Sequence, residues 1–143
     1  MKNLMVLLFL CFMLAGLCNC GGSKDYCLEG KKTAEELMRE KLPYLLTYAV
    51  TRNQATFVLP PEKVSKIAKS LPAWNVLSKK LEIKNIREIQ TSGKVHVCEA
   101  DVIGNDKSIM LVQYKVTPTS EGSIYVEIQD VQIADMAAFT PQN

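Results

Sequence analysis

The stretch 94-KVHVCEADVIGNDKSIMLVQYKV-116 decides the fold of this chain of 143 residues. It contains two runs rich in Val and Ile on either side of the turn sequence Gly-Asn-Asp at 104–106. Such runs around a short turn are typical of paired β-strands. Comparable runs lie on both sides of the stretch, and short loops join them, whereas parallel strands need long crossovers. We therefore predict an antiparallel meander with strands at 83–90, 94–103, 108–116 and 123–133.

Alternation within these strands predicts which side chains share a face. Successive side chains of a strand point to opposite sides of the sheet, and the apolar residues of each run fall on every second position. The shared faces hold His96, Cys98, Ala100 and Val102 in the second strand, Met110, Val112, Tyr114 and Val116 in the third, and Ile124, Val126 and Ile128 in the fourth. These sets would form one side of a core.

The region before the strands has the period of amphipathic helices. Apolar residues recur at spacings of three and four across 38–49. A capping-box pattern precedes them, in which Thr33 and Glu36 would satisfy free backbone N–H groups. Pro43 interrupts the pattern, because proline lacks the N–H that a helix interior needs. We therefore predict two helices, at about 33–41 and 43–52.

A further helix is predicted after the two consecutive prolines at 60–61. A short extended piece is expected at 55–59, and Pro61 is well placed as a first helical residue. The polar side of this helix carries a row of three lysines, Lys63, Lys66 and Lys69. Such a row is a candidate surface for an acidic partner or for anionic lipid, and it is equally well explained as a solvated helix face.

Helices followed by a curled antiparallel sheet of about four strands predict a two-layer α+β domain with the N-terminal helices packed on the sheet. This order resembles the cystatin-like and NTF2-like folds, in which a sheet wraps around an N-terminal helix. We place the domain at 33–135. A tether at 21–32 would precede it, and a loose C-terminal tail at 136–143 would follow it.

Residues 1–20 have the layout of a secretory signal peptide. Lys2 precedes an apolar run of fourteen residues at 4–17. A helix of that length spans about 21 Å, which is less than the roughly 30 Å of a bilayer core. A cleaved signal is therefore predicted, and an uncleaved short anchor is the alternative.

The end of this segment resembles the processing box of bacterial lipoproteins, Leu-(Ala/Ser/Thr)-(Gly/Ala)-Cys, whose cysteine becomes lipidated. If Cys18 is the lipidated cysteine, one additional leucine, Leu17, separates it from the rest of the box. If Cys20 is the lipidated cysteine, Asn19 occupies the position before it, which is normally Gly or Ala. We predict a lipid anchor at Cys20, because a flexible Gly-Gly-Ser tether follows it at 21–23. Cleavage that releases a soluble protein is the alternative. Position 21 is not Asp, and in this respect the chain resembles lipoproteins of the outer membrane that face the periplasm.

Two cysteines, Cys27 and Cys98, remain after the signal and the lipid acceptor are set aside. An exported protein folds in an oxidising compartment, where such a pair forms a disulfide. A metal site and a redox pair are the rival interpretations. One histidine and two thiols make a poor zinc site, and the chain has no C-x-x-C motif. We therefore predict a Cys27–Cys98 disulfide.

One composite pattern runs through most of the mature chain. It consists of Cys20-Gly21-Gly22, Cys27, Gly93-Lys94-x-x-x-Cys98-x-Ala100-x-Val102, Tyr114-x-Val116 and Gly122-x-x-Tyr125-Val126-x-Ile128. On these residues the chain resembles small uncharacterised envelope lipoproteins of Gram-negative bacteria. The resemblance implies a protein of the bacterial cell envelope, and it implies no reaction.

No constellation of catalytic residues is recognisable in the sequence. His96 is the only histidine, and by alternation Glu99 and Asp101 fall on the opposite face of its strand. The sequence contains neither of the glycine-rich phosphate-binding motifs G-x-x-x-x-G-K-[ST] and G-x-G-x-x-G. The 17 Lys and Arg residues nearly balance the 15 Asp and Glu residues, so composition does not indicate a nucleic-acid partner. We expect a non-enzymatic protein without a metal or another cofactor.

Two functions remain in competition. The first is a cell-envelope lipoprotein that binds a protein partner through its sheet face or its lysine row, in an immunity, inhibitor or envelope-assembly role. The alternative is a periplasmic small-molecule-binding protein of NTF2-like shape, with its ligand in the cone between sheet and helix. The candidate lining of that cone consists of Tyr48, Val112, Tyr114 and Val126.

Overall fold

Among the residues that the structure describes, the sheet consists of four antiparallel strands, and the first and the last of them pair with another strand on one side only. In the computed structural model, which describes residues 24–142, the strands lie side by side in the order in which they follow along the chain. Their bounds are Glu82–Ser92 (β1), Val95–Gly104 (β2), Lys107–Pro118 (β3) and Ile124–Ile133 (β4). The predicted antiparallel meander is therefore confirmed, with β1 and β4 as its edge strands.

The inward faces of the two central strands are those that alternation predicts. The side chains with no solvent exposure are Cys98, Ala100 and Val102 on β2, and Met110, Val112, Tyr114 and Val116 on β3. The edge strand β4 departs from strict alternation, since Gln113 pairs with Asp130 and Tyr114 pairs with Ile128. The additional residue in β4 is a bulge, and bulges bend and twist a strand. Strict alternation from Val126 would bury Asp130. Because of the bulge, Val131 is buried instead.

The part of the chain that the structure describes has five α-helices, which form a layer beside this curled sheet. Their bounds are Tyr26–Glu29 (α1), Lys31–Glu40 (α2), Leu42–Thr51 (α3), Pro61–Lys69 (α4) and Pro72–Leu77 (α5). Two 3-10 helices, Gln54–Val58 and Met136–Phe139, complete the described elements. The α+β prediction is confirmed, including the break before Pro43 and the helix that starts at Pro61. Within residues 24–142, no helix is long and apolar enough to cross a membrane.

The predicted capping box at Thr33 is wrong, because the chain is already helical when it reaches this residue. Helix α2 starts at Lys31, with Gly30 as its N-cap and no side-chain cap. The cap lies further upstream, where Asp25 accepts a hydrogen bond from the backbone N–H of Leu28 at 3.0 Å. A side-chain cap is needed only where the first backbone N–H groups of a helix lack acceptors. At the start of α2 the preceding turn of α1 supplies carbonyl groups as acceptors for these N–H groups.

Three boundaries differ from those expected. The helices start at Tyr26, inside the range predicted as a tether. Residues 55–59 were expected to be extended, but Gln54–Val58 is a 3-10 helix that Asn53 caps through the backbone N–H of Ala55. The predicted loose tail begins with the 3-10 helix Met136–Phe139, whose Phe139 side chain is only 5% exposed. Burial of that ring against the core holds this end of the chain to the domain.

The predicted disulfide is present and connects α1 to β2. Cys27 and Cys98 are joined, and both residues are buried. Beside them the hydroxyl of Tyr114 donates a hydrogen bond to the Cys27 carbonyl at 2.8 Å. Burial raises the pKa of this phenol well above its usual value, so Tyr114 stays neutral and keeps its donor. Gly30 lies in the same region, and a Cβ there would stand 2.6 Å from the Val116 side chain.

Candidate functional site

A groove opens along β4, on the side of this strand that faces away from β3. Its volume is about 520 Å³. Helices α2 and α3 and the first 3-10 helix form one wall, and residues 125–131 of β4 form the other. The helical wall consists of Leu37, Lys41, Leu45, Tyr48, Gln54 and Phe57. We call this feature the β4 groove.

Two aromatic side chains, Tyr48 and Phe57, lie in the helical wall. The ring centroid of Phe57 lies 5.5 Å from that of Tyr48 and 6.3 Å from that of Tyr44. Phe57 is nevertheless 48% exposed, so the pair with Tyr48 leaves much of this ring available to a ligand. Stacked rings hold one another in place and present a large apolar surface with few rotatable bonds.

The position of Phe57 follows from the way in which α3 ends. Arg52 adopts a left-handed backbone conformation with φ of 52°, which stops the helix and turns the chain back. The Thr51 and Thr56 hydroxyls then share a hydrogen bond at 3.1 Å across the turn. This turn places the 3-10 helix against α3 and brings Phe57 onto the ring of Tyr48.

The arginine of this turn binds two residues that line one end of the β4 groove. Its guanidinium donates a hydrogen bond to the Val131 carbonyl at 2.5 Å, and it forms an ion pair with Asp130 at 3.2 Å. The same guanidinium lies 4.8 Å from the Tyr48 ring centroid, in a cation–π contact. Burial alone would raise the pKa of Asp130, but hydrogen bonds from Arg52 and Gln132 outweigh it and lower that pKa. The charges at this end are therefore already paired.

The other wall is the free edge of a strand. β4 pairs with β3 on one side, and no described strand pairs with its other side. The Arg52 guanidinium occupies one carbonyl at the end of this edge, at Val131. The groove thus combines an apolar wall with a row of backbone hydrogen-bonding groups.

The four residues predicted to line a ligand cone divide into two pairs. Tyr48 and Val126 do line the β4 groove. Val112 and Tyr114 have no solvent exposure and fill the core between the sheet and the helices. The apolar space therefore lies at the edge of the sheet, because the large Tyr114 side chain fills the concave centre.

The predicted lysine row lies on the exposed side of α4. Lys63, Lys66 and Lys69 are all exposed, whereas Val64 and Ala68 on the other side of the helix are buried. None of the three lysines lines the β4 groove. The structure therefore does not bring this row together with the aromatic surface.

His96 takes part in a contact that strand alternation alone did not predict. Its Nδ1 atom lies 3.0 Å from a Glu88 carboxylate oxygen on β1, and its ring stacks on Tyr26 with centroids 4.5 Å apart. Hydrogen bonds from Thr91 and then from His96 lower the pKa of Glu88. The expected placement of Glu99 on the opposite face is confirmed, where it contacts Arg87 and Gln113. The histidine thus holds α1 against the sheet.

The sequence did carry a weak signal for the groove that was missed. Tyr44 and Tyr48 are four residues apart, which places them on one helix face, and Phe57 follows the turn. Tyr125 stands at an outward position of a strand and is 61% exposed. Neither signal indicates that these residues meet, because this depends on β4 being an edge strand.

Three charged side chains line the β4 groove. Its charged lining residues are Lys41, Glu127 and Asp130, and the last is paired with Arg52. Lys41 pairs with Glu40 at 2.9 Å, and a hydrogen bond from that contact raises the pKa of Lys41. Within residues 24–142, no group of three His, Cys, Asp or Glu residues is arranged to hold a metal ion. In comparisons with known proteins, no family model, no curated protein and no solved structure matches the chain.

Proposed function

We propose that this chain is a non-enzymatic binding protein of the bacterial cell envelope that holds a segment of another protein in the β4 groove. The observation that carries the proposal is an open, aromatic-lined groove beside the free edge of β4. The cell-envelope location rests on the predicted signal peptide at 1–20 and the predicted lipid acceptor Cys20, and both lie outside the described residues.

Exposed apolar side chains around the groove favour a protein partner. Phe57 is 48% exposed and Tyr125 is 61% exposed, and both line the groove. Val58, the residue after Phe57, is 84% exposed. Clustered apolar surface of this kind is typical of interaction sites, because leaving it in water is unfavourable. Aromatic residues are also the side chains that most often anchor a protein interface.

The attachment of the N-terminus supports the same function. Helix α1 packs against β1, β2 and β3, and the disulfide ties it to β2. A lipid anchor a few residues upstream would therefore join the domain near these strands, and the groove lies at the other edge, along β4. None of the residues of α1 lines the groove, so this attachment leaves the groove open to a partner.

Site-specific photo-crosslinking tests the proposal, with a matched control in the same chain. A photoreactive amino acid replaces either Phe57, which is 48% exposed, or Ile89, which lies on β1 and is 46% exposed. We expect a discrete protein adduct from position 57 in intact cells, none from position 89, and loss of the adduct when Tyr48→Ala is added. Equal adducts from both positions, or none from position 57, would contradict the proposal.

A small apolar ligand is the alternative occupant, since about 520 Å³ is within the usual range of small-molecule sites. Native mass spectrometry of the protein extracted from membranes separates the two. A bound mass of a few hundred daltons that Phe57→Ala removes would favour the small ligand. Intact mass of the denatured sample tests the anchor, because lipid at Cys20 adds its mass and Cys20→Ser abolishes it.

A further inference from the structure

The β4 groove is bounded by a strand edge, and this determines what kind of segment fits it. Residues 125–129 of β4 pair with β3 on one side, and no described strand covers their other side. Every second residue of a strand directs its N–H and C=O groups to the same edge. An incoming strand could therefore form the hydrogen bonds of a fifth strand, as in other proteins that bind peptides by strand addition.

The length of the open edge limits the segment. Five residues of β4 span about 17 Å at roughly 3.4 Å per residue. The Arg52 guanidinium already binds the Val131 carbonyl, so the open edge stops there. Side chains on the inner face of the added strand would lie against Tyr48 and Phe57, and apolar side chains fit that wall.

Glu127 adds a charge requirement on the outer face. It lies at the middle of the open edge and is exposed, and its neighbours on that face, Tyr125 and Gln129, are uncharged. Its partner in register on β3 is Lys115. Among the described residues Glu127 has no ion-pair partner at all, so one side of its carboxylate is available to the added strand. Opposite charges on directly paired strand positions attract each other.

We propose that the β4 groove binds an extended protein segment by strand addition, with apolar side chains facing Phe57 and Tyr48 and a Lys or Arg opposite Glu127. This inference rests on the proposed function and specifies its partner. It combines three separate features of one edge: backbone groups that no described strand pairs, a wall with two aromatic rings, and an exposed carboxylate.

Fluorescence anisotropy with synthetic peptides tests the charge requirement on the processed protein. The probe is the labelled peptide TVTVKVTVT, and the comparison peptide carries Glu in place of its central Lys. We expect the Lys peptide to bind wild type up to about fivefold more tightly, the upper range for one cross-strand charge pair. Glu127→Lys should reverse the order, and Glu127→Gln should remove the difference. Glu121→Lys, in the exposed turn before β4, is the matched control and should leave the order unchanged.

Backbone N-methylation of the same peptide tests strand addition itself. Methyl groups on the amides of alternate residues block one edge of the added strand, so one methylated set should lose binding while the complementary set keeps it. Equal binding of both sets, loss of both, or no binding of the unmodified peptide would overturn the inference. If the peptides give one of these contrary results but position 57 still crosslinks to a partner in cells, strand addition is wrong and the proposed function stands. If that adduct is also absent, both are wrong.

Discussion

Removing the Cys27–Cys98 disulfide should destabilise the domain without changing its fold. The two cysteines are 71 residues apart, and the bond joins the first helix to a central strand. Such a crosslink stabilises a protein mainly by restricting the unfolded chain. For a loop of this length, chain entropy predicts roughly 4 kcal/mol of stabilisation. That is a large share of the roughly 5–15 kcal/mol by which domains are usually stable.

Urea unfolding followed by circular dichroism measures this loss. The oxidised protein is compared with the reduced protein and with the Cys27→Ala/Cys98→Ala variant, and we expect both to unfold at much lower urea. Adding reductant to the double variant is the control and should change nothing. A difference below about 1 kcal/mol in the free energy of unfolding would refute the reasoning, because the crosslink would then hardly constrain the unfolded chain.

Three further predictions concern other contacts of the fold. Tyr114→Phe should cost about 1–3 kcal/mol in urea unfolding, because it leaves the buried Cys27 carbonyl without its donor. The pKa of Asp130 is lower in the folded state than its ordinary value of 3.8, so this carboxylate stabilises the protein above that pH. This contribution to stability is lost as pH falls through the folded-state pKa of Asp130. The Asp130→Asn variant should therefore lose less stability than wild type over about three pH units, from pH 5 to pH 2, as measured by the urea midpoint at each pH. Gly30→Ala should lower the melting temperature, since its Cβ would lie 2.6 Å from a buried valine and overpacking costs about 1–3 kcal/mol.

The sheet was predictable because its signals are local. Alternating Val and Ile residues identify a strand and its buried face, and short turns between the strands require antiparallel pairing. The Cys27–Cys98 bond was predictable from the count of cysteines left in an exported chain. Each of these predictions depends on a few neighbouring residues or on composition.

The wrong predictions concern segments whose structure depends on tertiary contacts. Thr33 has the sequence of a cap, but the turn of α1 before it already supplies the helix with acceptors. Phe139 has no periodic pattern around it, and its burial against the core determines the course of the C-terminal segment. Residues 55–59 were predicted to be extended, but Gln54–Val58 forms a 3-10 helix that packs against α3.

The β4 groove could not be predicted from the sequence for a related reason. Phe57 and Tyr125 are far apart along the chain, and they line one site only because β4 is an edge strand next to α3. The sequence does not specify which edge the helices leave open. Tyr48 and Val126 were predicted as lining residues, but for a cone that Tyr114 fills.

Nuclear magnetic resonance of the isotope-labelled protein with the TVTVKVTVT peptide tests directly whether the β4 groove binds an extended segment. We expect the resonances of the backbone amides at 125–129 and of the Phe57 ring to shift on titration, and amides at the β4 edge to become protected from hydrogen exchange. The free edge of β1 is the internal control and should remain unchanged, as should the lysine row of α4. Shifts confined to β1 or to that row, with β4 unaffected, would contradict the account.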